Sequence, residues 1–416
     1  MMLKDNNNEA KKALIIGGGA AGFFAAVNLA RMRPDLQVIL VEKTGKLLSK
    51  VKVSGGGRCN VTHACFEIGE LVKRYPRGAS LLKKTLHQFN PTHTIEWFKE
   101  RGVALKAEAD GRMFPVTNQS QTIIDCLLKE ADDYQVKTLM HREVVSLKQV
   151  TDGSWKVLFK SGEEVEAAVV CVACGGFSKR EQFYWLDELG LPIETPVPSL
   201  FTFNLPEHPI VALMGVSVSQ AKVKIVGTKI ETEGPLLVTH WGLSGPAVLK
   251  ASAWGARILA EKQWQFQANV NWIGDYNEQT CYDYLQELRS SLNTQKIYGK
   301  NPFGIPNRLW DFFLQQCGIS DSLKWADLPA KSQRKLCMML TNQEFQVKGK
   351  TTFKEEFVTA GGVELSAIDS NSMESKKWKG LFFAGEIMDV DGVTGGFNFQ
   401  HAWTSGWIAA RHMSLI

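Results

Sequence analysis

The sequence predicts an α/β protein: a Rossmann-like domain with a parallel sheet, built by the two outer parts of the chain and interrupted by an inserted domain. Three observations predict it. Ala13–Arg31, ALIIGGGAAGFFAAVNLAR, reads as a buried strand, a glycine turn and a helix. Val38–Val41 then gives a second apolar strand ending in Glu42, twenty residues past Gly22. Near the far end GLFFA (Gly380–Ala384) is a third such strand, followed by Gly385-Glu386, Gly395-Gly396 and a helix over Phe397–His412.

Each glycine of the first turn has a physical task. Gly17, Gly19 and Gly22 fit G-x-G-x-x-G. Gly17 allows the tight turn off the strand, Gly19 has no side chain to hold a pyrophosphate off the backbone, and Gly22 lets helix and strand pack closely. Ala20 and Ala21 open a helix whose free N–H groups face the phosphates. Glu42 stands where an acid reaches a ribose hydroxyl pair. A glycine-rich turn in an unrelated α/β protein would leave Glu42 unexplained, so dinucleotide binding follows.

Met1–Glu9 is polar, Asn-rich and reads as a frayed tail. Lys43–Asn60 reads as a loop beside the ligand. It ends Ser54-Gly55-Gly56-Gly57-Arg58-Cys59-Asn60, where glycines bare the backbone, Arg58 adds a cation and Asn60 a donor and an acceptor. Cys59 is a candidate proton donor or nucleophile, with a small buried filler as the default reading. Leu71–Gly102 reads as helical with a break at Phe89–Thr92, Ala109–Pro115 as a turn and Ser120–Asp132 as a helix. Val136–Leu147, Trp155–Phe159 and Glu164–Val172 read as strands, the last running into Ala173-Cys174-Gly175-Gly176, a second bare approach. Cys171 and Cys174 are spaced C-x-x-C, but residues three apart on a strand point to opposite faces. Neither a metal nor a disulfide is expected there.

Pro192, Pro196 and Pro198 mark a boundary. Short strands are expected from Ser199 to about Ala268 and helices over Asp275–Leu340. Within the first stretch, Gly242–Pro246 resembles a nucleophile elbow only superficially, because Pro246 stands in place of its last glycine. His240 and Trp241 are candidates to reach a substrate, with a packed turn as the default.

Composition narrows the function classes. The 416 residues suffice for two or three cores. Eight scattered cysteines show no disulfide framework and suit a reducing compartment. Lys11-Lys12 and the apolar run after them imitate a secretory signal, but the strand–turn–helix pattern accounts for the same residues, and no stretch is long and apolar enough to span a membrane. A cytoplasmic protein is expected. The net charge is +5, yet Lys43–Lys84 holds ten basic residues against two acids. That excess is either a solvated face or a surface for an anion, the ligand's own phosphates or an external polyanion.

With these residues in view the chain resembles the BaiN/YhiN-like flavoproteins, in the broad glutathione-reductase-like class. The motifs are GGGAAG (Gly17–Gly22), Glu42-Lys43, SGGGRCN (Ser54–Asn60), DGRMFP (Asp110–Pro115), ACGG (Ala173–Gly176), GPLLVTHWGLSGPA (Gly234–Ala247), VTAGGV (Val358–Val363) and the run Ala384–Trp407. The resemblance implies an FAD-binding domain at 1–195 and 346–416. It implies an inserted domain at 196–345, with a β-barrel part at about 199–270 and a helical part at about 275–340. It implies that Glu42 holds the adenosine ribose, that Gly385 and Glu386 lie by the ribityl–phosphate stretch, and that Gly395, Gly396, Phe397 and Asn398 face the flavin. Lys43, Val144 and Thr394 join the implied cofactor residues. Two positions depart from the family pattern: Cys174 and Phe397 stand where threonine and tyrosine are usual, which removes hydroxyl contacts.

The resemblance implies FAD redox chemistry, with members linked to dihydrouridine formation in ribosomal RNA, to oxidation of amino ketones and to bile-acid reduction. The expected activity is therefore an NAD(P)H-dependent reduction of a conjugated C=C bond, with uridine in ribosomal RNA as one substrate. The alternatives are a flavin oxidase of a small amine or amino ketone, and a non-enzymatic flavin-bearing RNA-binding factor. No dedicated NAD(P) module is readable, so a nicotinamide would bind transiently or not at all. The oligomeric state is not legible.

Overall fold

The computed structural model describes residues 11–351 and 358–416. Met1–Glu9 lies outside the described residues. Those residues divide into two units, one made of 11–198 with 358–416 and the other of 199–351.

In the first unit, runs of apolar residues with no polar alternation make the inner strands of a sheet buried on both faces, while the edge strand Lys137–Leu139 is partly exposed. The strands are Leu381–Phe383, Val169–Val172, Lys12–Ile16, Gln37–Val41 and Lys137–Leu139, in that order across the sheet. All four pairings are parallel, with Ile16 opposite Val172 on one side and Val41 on the other. Lys12–Ile16 is the central strand, and the chain leaves it first to one side and later to the other. Ligands of open parallel sheets bind outside the carboxyl ends at such a switch point.

The helices Ala20–Met32 and Phe397–Met413 pack on each other. Gly406 permits this, because a Cβ there would stand 2.8 Å from the Ala21 carbonyl oxygen. Around the contact Phe24 lies against Phe89, Trp97 and Trp403, with ring centroids 4.6–5.5 Å apart. Trp403 is fully buried and donates to the Val61 carbonyl at 2.9 Å. Truncating such a ring costs about 3–5 kcal/mol.

Several expectations need correction. Lys43–Asn60 is not all loop: it contains the helix Ser49–Gly57, broken where Ser54 is extended and Gly55 and Gly56 are left-handed. The Leu71–Gly102 stretch is three helices, Ile68–Val72, Ala79–Thr85 and Pro91–Glu100. The extra break falls at Gly78, whose φ of +83° few other residues would adopt. Arg112–Pro115, within the expected turn, is a strand of a small antiparallel sheet with Leu105–Ala107 and Thr62–His63. The expected strand Val136–Leu147 is two, Lys137–Leu139 and Val144–Gln149, separated where His141 turns with positive φ. Glu164–Val172 likewise divides between two sheets at Ala168.

The second unit is a seven-stranded sheet whose pairings are all antiparallel, with three helices Glu278–Ser291, Asn307–Gln316 and Ala330–Thr341. Phe203, Phe266, Trp272, Phe313 and Phe345 are in its core. Pro246–Glu261 is a sixteen-residue helix where short strands are expected. Proline at its first position and alanines along one face start and sustain it. Ser244 is buried in a strand and accepts from the Thr202 hydroxyl at 3.2 Å, so no nucleophile elbow forms.

Candidate functional site

The carboxyl ends of four parallel strands converge in the first unit. They deliver Gly17, Glu42, Ala173 and Ala384 as the first residues past each strand. Three of the glycines there tolerate no side chain. A Cβ on Gly17 would stand 2.4 Å from the Ala173 carbonyl oxygen, and one on Gly22 would stand 1.9 Å from that of Gly17. One on Gly396 would stand 2.5 Å from the Thr62 carbonyl oxygen.

Gly19, Gly56, Gly57 and Gly175 are different, since a Cβ on any of them meets nothing within 4 Å. Packing does not demand glycine at Gly19, whose φ of −94° suits any residue. A bare backbone facing open space at a helix N-terminus is what a phosphate-bearing ligand requires. The amides of Ala20, Ala21 and Gly22 have no intrahelical acceptor there. The cradle thus fits the pyrophosphate of a dinucleotide. Gly55 is the exception in its run: its Cβ would meet the Phe114 ring at 2.8 Å.

Glu42 is half-buried. One carboxylate oxygen accepts from Gly18 N–H at 2.9 Å, the other from Thr44 N–H and hydroxyl at 2.8 Å. The carboxylate is therefore held in place by the first turn, and lone pairs remain on both oxygens for a ribose. Its own carbonyl accepts from Arg142 N–H at 2.8 Å, which brings the segment before Val144 alongside. Val144 is buried at the start of its strand. Lys43 is exposed, 5.5 Å from the centroid of the Phe177 ring.

At the other end of the site, Gly385 N–H donates to the Ser405 hydroxyl at 2.9 Å. Glu386 accepts from Thr359 N–H at 2.8 Å and pairs with Lys50 at 2.6 Å. The Asn398 amide exchanges two hydrogen bonds with Gly392, at 2.8 and 2.9 Å, and so closes the loop that carries Thr394, Gly395 and Gly396. The Asn60 amide accepts from Gly396 N–H and donates to the Thr62 carbonyl, both at 3.0 Å. Asn60 thus staples the two glycine-rich segments to each other.

Cys59 is fully buried, and burial pushes its thiol up to about 12. Its side chain has no exposed surface, which fits a small buried filler. Cys171 and Cys174 are both free thiols, and no group of metal-ligating side chains occurs among the described residues. Arg58 pairs with Glu108 at 2.6 Å and lies over the Phe114 ring at 4.0 Å. His240 is in the second unit, exposed in a turn with its ring 4.7 Å from that of Trp241.

Sequence reasoning missed three partners of the C-terminal loop. Arg77 forms a bidentate ion pair with the fully buried Asp391. The buried Tyr75 hydroxyl donates to the Phe397 carbonyl at 2.7 Å. His63 stacks on the Phe397 ring with centroids 4.7 Å apart. All three come from a stretch with no cofactor motif, so only their adjacency in space reveals them.

The open parallel sheet, the glycine cradle at its switch point and the acid after the second strand define a dinucleotide-binding flavoprotein fold. Solved structures agree. A 3-ketosteroid-Δ4-(5α)-dehydrogenase from Rhodococcus jostii RHA1 has a TM-score of 0.51 at 14% identity, covering 98% of both chains. A flavocytochrome c3 fumarate reductase has a TM-score of 0.51 at 18% identity, covering 98% of this chain and 78% of that one. The chain belongs to the HI0933-like family, whose Rossmann-domain model matches residues 11–412, and is an FAD-dependent oxidoreductase. It is 30% identical to the ribosomal RNA dihydrouridine synthase of Escherichia coli K12 over 388 residues, 91% of this chain and 92% of that one. It is 26% identical to the 3-dehydro-bile acid Δ(4,6)-reductase of Clostridium scindens over 407 residues, 94% and 96% of the two chains. Among the described residues no helix is long and apolar enough to cross a membrane.

Proposed function

We propose that this protein uses FAD to reduce a conjugated C=C bond, with NAD(P)H as a transient electron donor and uridine in ribosomal RNA as the substrate. One observation carries the reading. Relatives that align over more than nine-tenths of the chain act on unlike molecules, an RNA and a steroid, yet both names describe saturation of a C=C bond. What they share is the reaction, and the RNA relative has the higher identity of the two. The excess of basic residues in Lys43–Lys84 supports an anionic substrate.

In this reading the first-turn amides from Gly19 to Gly22 hold the pyrophosphate, and Glu42 holds the adenosine ribose, with Lys43 and Val144 beside it. Ser54, Gly56, Arg58, Ala173, Cys174 and Gly175 flank the cofactor. Gly385 and Glu386 lie at the ribityl stretch, and Thr394 to Asn398 line the flavin. FAD, when bound, supplies the hydride chemistry. The protein's part is to hold the loop Asp389–Gly396 rigid and to present its amides. A cytoplasmic location suits eight cysteines with no disulfide.

Anaerobic mixing of the FAD-loaded protein with NADH or NADPH tests the donor. Rapid bleaching of the flavin supports the reductase reading. Slow bleaching, with peroxide released from an amine substrate in air, would favour an oxidase.

A further inference from the structure

The basic stretch resolves into arginines and lysines with different employment. Lys73 is paired with Glu70 at 2.6 Å, and Arg77 is paired with the buried Asp391. Arg58 and Lys50 are held by Glu108 and Glu386. Arg74 is exposed, and among the described residues no ion pair or hydrogen bond takes up its guanidinium. Its backbone, by contrast, is fixed. The Arg74 carbonyl accepts from Val393 N–H at 2.9 Å, inside the loop that leads to Gly395. Immediately after that bond the same segment is anchored by Tyr75 on the Phe397 carbonyl and by Arg77 on Asp391. Gly78 closes against Val390, whose Cγ2 would lie 2.6 Å from an added Cβ. The charge reaches the site as well. After burial, Arg74 and then Arg112 hold the His63 imidazole below its ordinary value, and His63 is stacked on Phe397.

A rigid backbone carrying an unspent guanidinium at the rim of the flavin-facing loop is a prepared oxyanion contact. We propose that Arg74 holds a backbone phosphate of the RNA substrate and so sets the target base against the flavin. This rests on the RNA reading given above. A guanidinium fork matches two phosphate oxygens, whereas a lysine offers only a point charge. Fixing the Cα removes the backbone's share of the ordering cost of that contact and leaves only the side chain's rotamers to be ordered.

The test uses the FAD-loaded protein and a fluorescent ribosomal RNA fragment lacking dihydrouridine, with binding followed across a salt series. Arg74→Gln is expected to weaken binding about tenfold at low salt. It should also lower the slope of log K against log salt by about one. Arg74→Lys should recover part of the affinity, and Lys73→Gln should change little. FAD content and the visible spectrum of Arg74→Gln should match the parent. Equal RNA affinity in Arg74→Gln and parent would overturn the assignment while leaving the RNA reading in place. Loss of FAD from Arg74→Gln would overturn it too, by making Arg74 part of the cofactor cradle. A parent with no affinity for RNA, or one that binds a steroid carboxylate through Arg74 instead, would overturn the RNA reading itself.

Discussion

Arg77 and Asp391, 314 residues apart in the chain, form a bidentate ion pair in which Asp391 is fully buried and 11% of the Arg77 side chain is exposed. It locks the link between two short helices onto the loop that presents Gly395 and Gly396. The pair explains why one of the ten basic residues of Lys43–Lys84 is not available to an external anion.

Removing one partner leaves an uncompensated charge inside the protein. Arg77→Met or Asp391→Leu alone should cost about 3–5 kcal/mol of stability, and the double variant Arg77→Met/Asp391→Leu should cost much less. Urea unfolding of the three variants checks this. Single variants as stable as the parent would show that the pair contributes nothing.

The glycines of the first turn are expected to separate into two classes. Gly22→Ala forces a Cβ to within 1.9 Å of the Gly17 carbonyl oxygen and should prevent folding or leave an aggregating protein. Gly19→Ala meets nothing within 4 Å, so the apoprotein should unfold at the parent's denaturant concentration while FAD binds roughly tenfold more weakly or worse. Unfolding of the apoproteins and FAD titration check the pair. Parent-like FAD affinity in Gly19→Ala would remove the pyrophosphate from this turn.

Glu42→Ala should lower FAD affinity by about 2–4 kcal/mol, the loss of two charge-assisted hydrogen bonds to a ribose after water replaces part of them. Part of that loss comes through Gly18 and Thr44, whose amides the carboxylate now holds. Glu42→Gln keeps an acceptor for one of those amides and should lose less. Fluorescence titration with FAD distinguishes the two.

His401 ties the C-terminal helix to the cofactor loop, its Nε2 lying 3.2 Å from the Gly385 carbonyl. Burial pulls its imidazole down to about 4. In the unfolded chain the ring takes up a proton near pH 6.5. Between those values the unfolded state binds more protons, so folding stability falls as pH drops from about 6.5 to about 4 and levels off below. The full loss amounts to roughly 3–3.5 kcal/mol. Unfolding measured at pH 7 and pH 4.5 should show a smaller pH dependence in His401→Gln than in the parent. An unchanged pH dependence would mean that His401 does not titrate on unfolding.

The glycine turn and its neighbouring acid are legible in the sequence because their geometry is local. Gly17, Gly19, Gly22 and Glu42 sit at fixed spacings on one strand–turn–helix–strand unit, and spacing is all a sequence shows. Asn60 and Gly396 are both visible as polar or bare positions, but their hydrogen bond is not, because they stand 336 residues apart. Arg74 and Arg77 look alike in sequence. Only the fold makes one a rim cation and the other half of a buried pair. The helix Pro246–Glu261 is hidden for another reason: it lies between strands, and within its apolar run only the period marks it as a helix.

The most direct measurement is of the product. The FAD-loaded protein is incubated anaerobically with NADPH or NADH and ribosomal RNA that lacks dihydrouridine, and the digested nucleosides are analysed by mass spectrometry. Conversion of uridine to dihydrouridine, dependent on both the protein and the reduced nicotinamide, is the predicted result. A flavin that is fully reduced in the presence of the RNA, with uridine left unchanged, would contradict it.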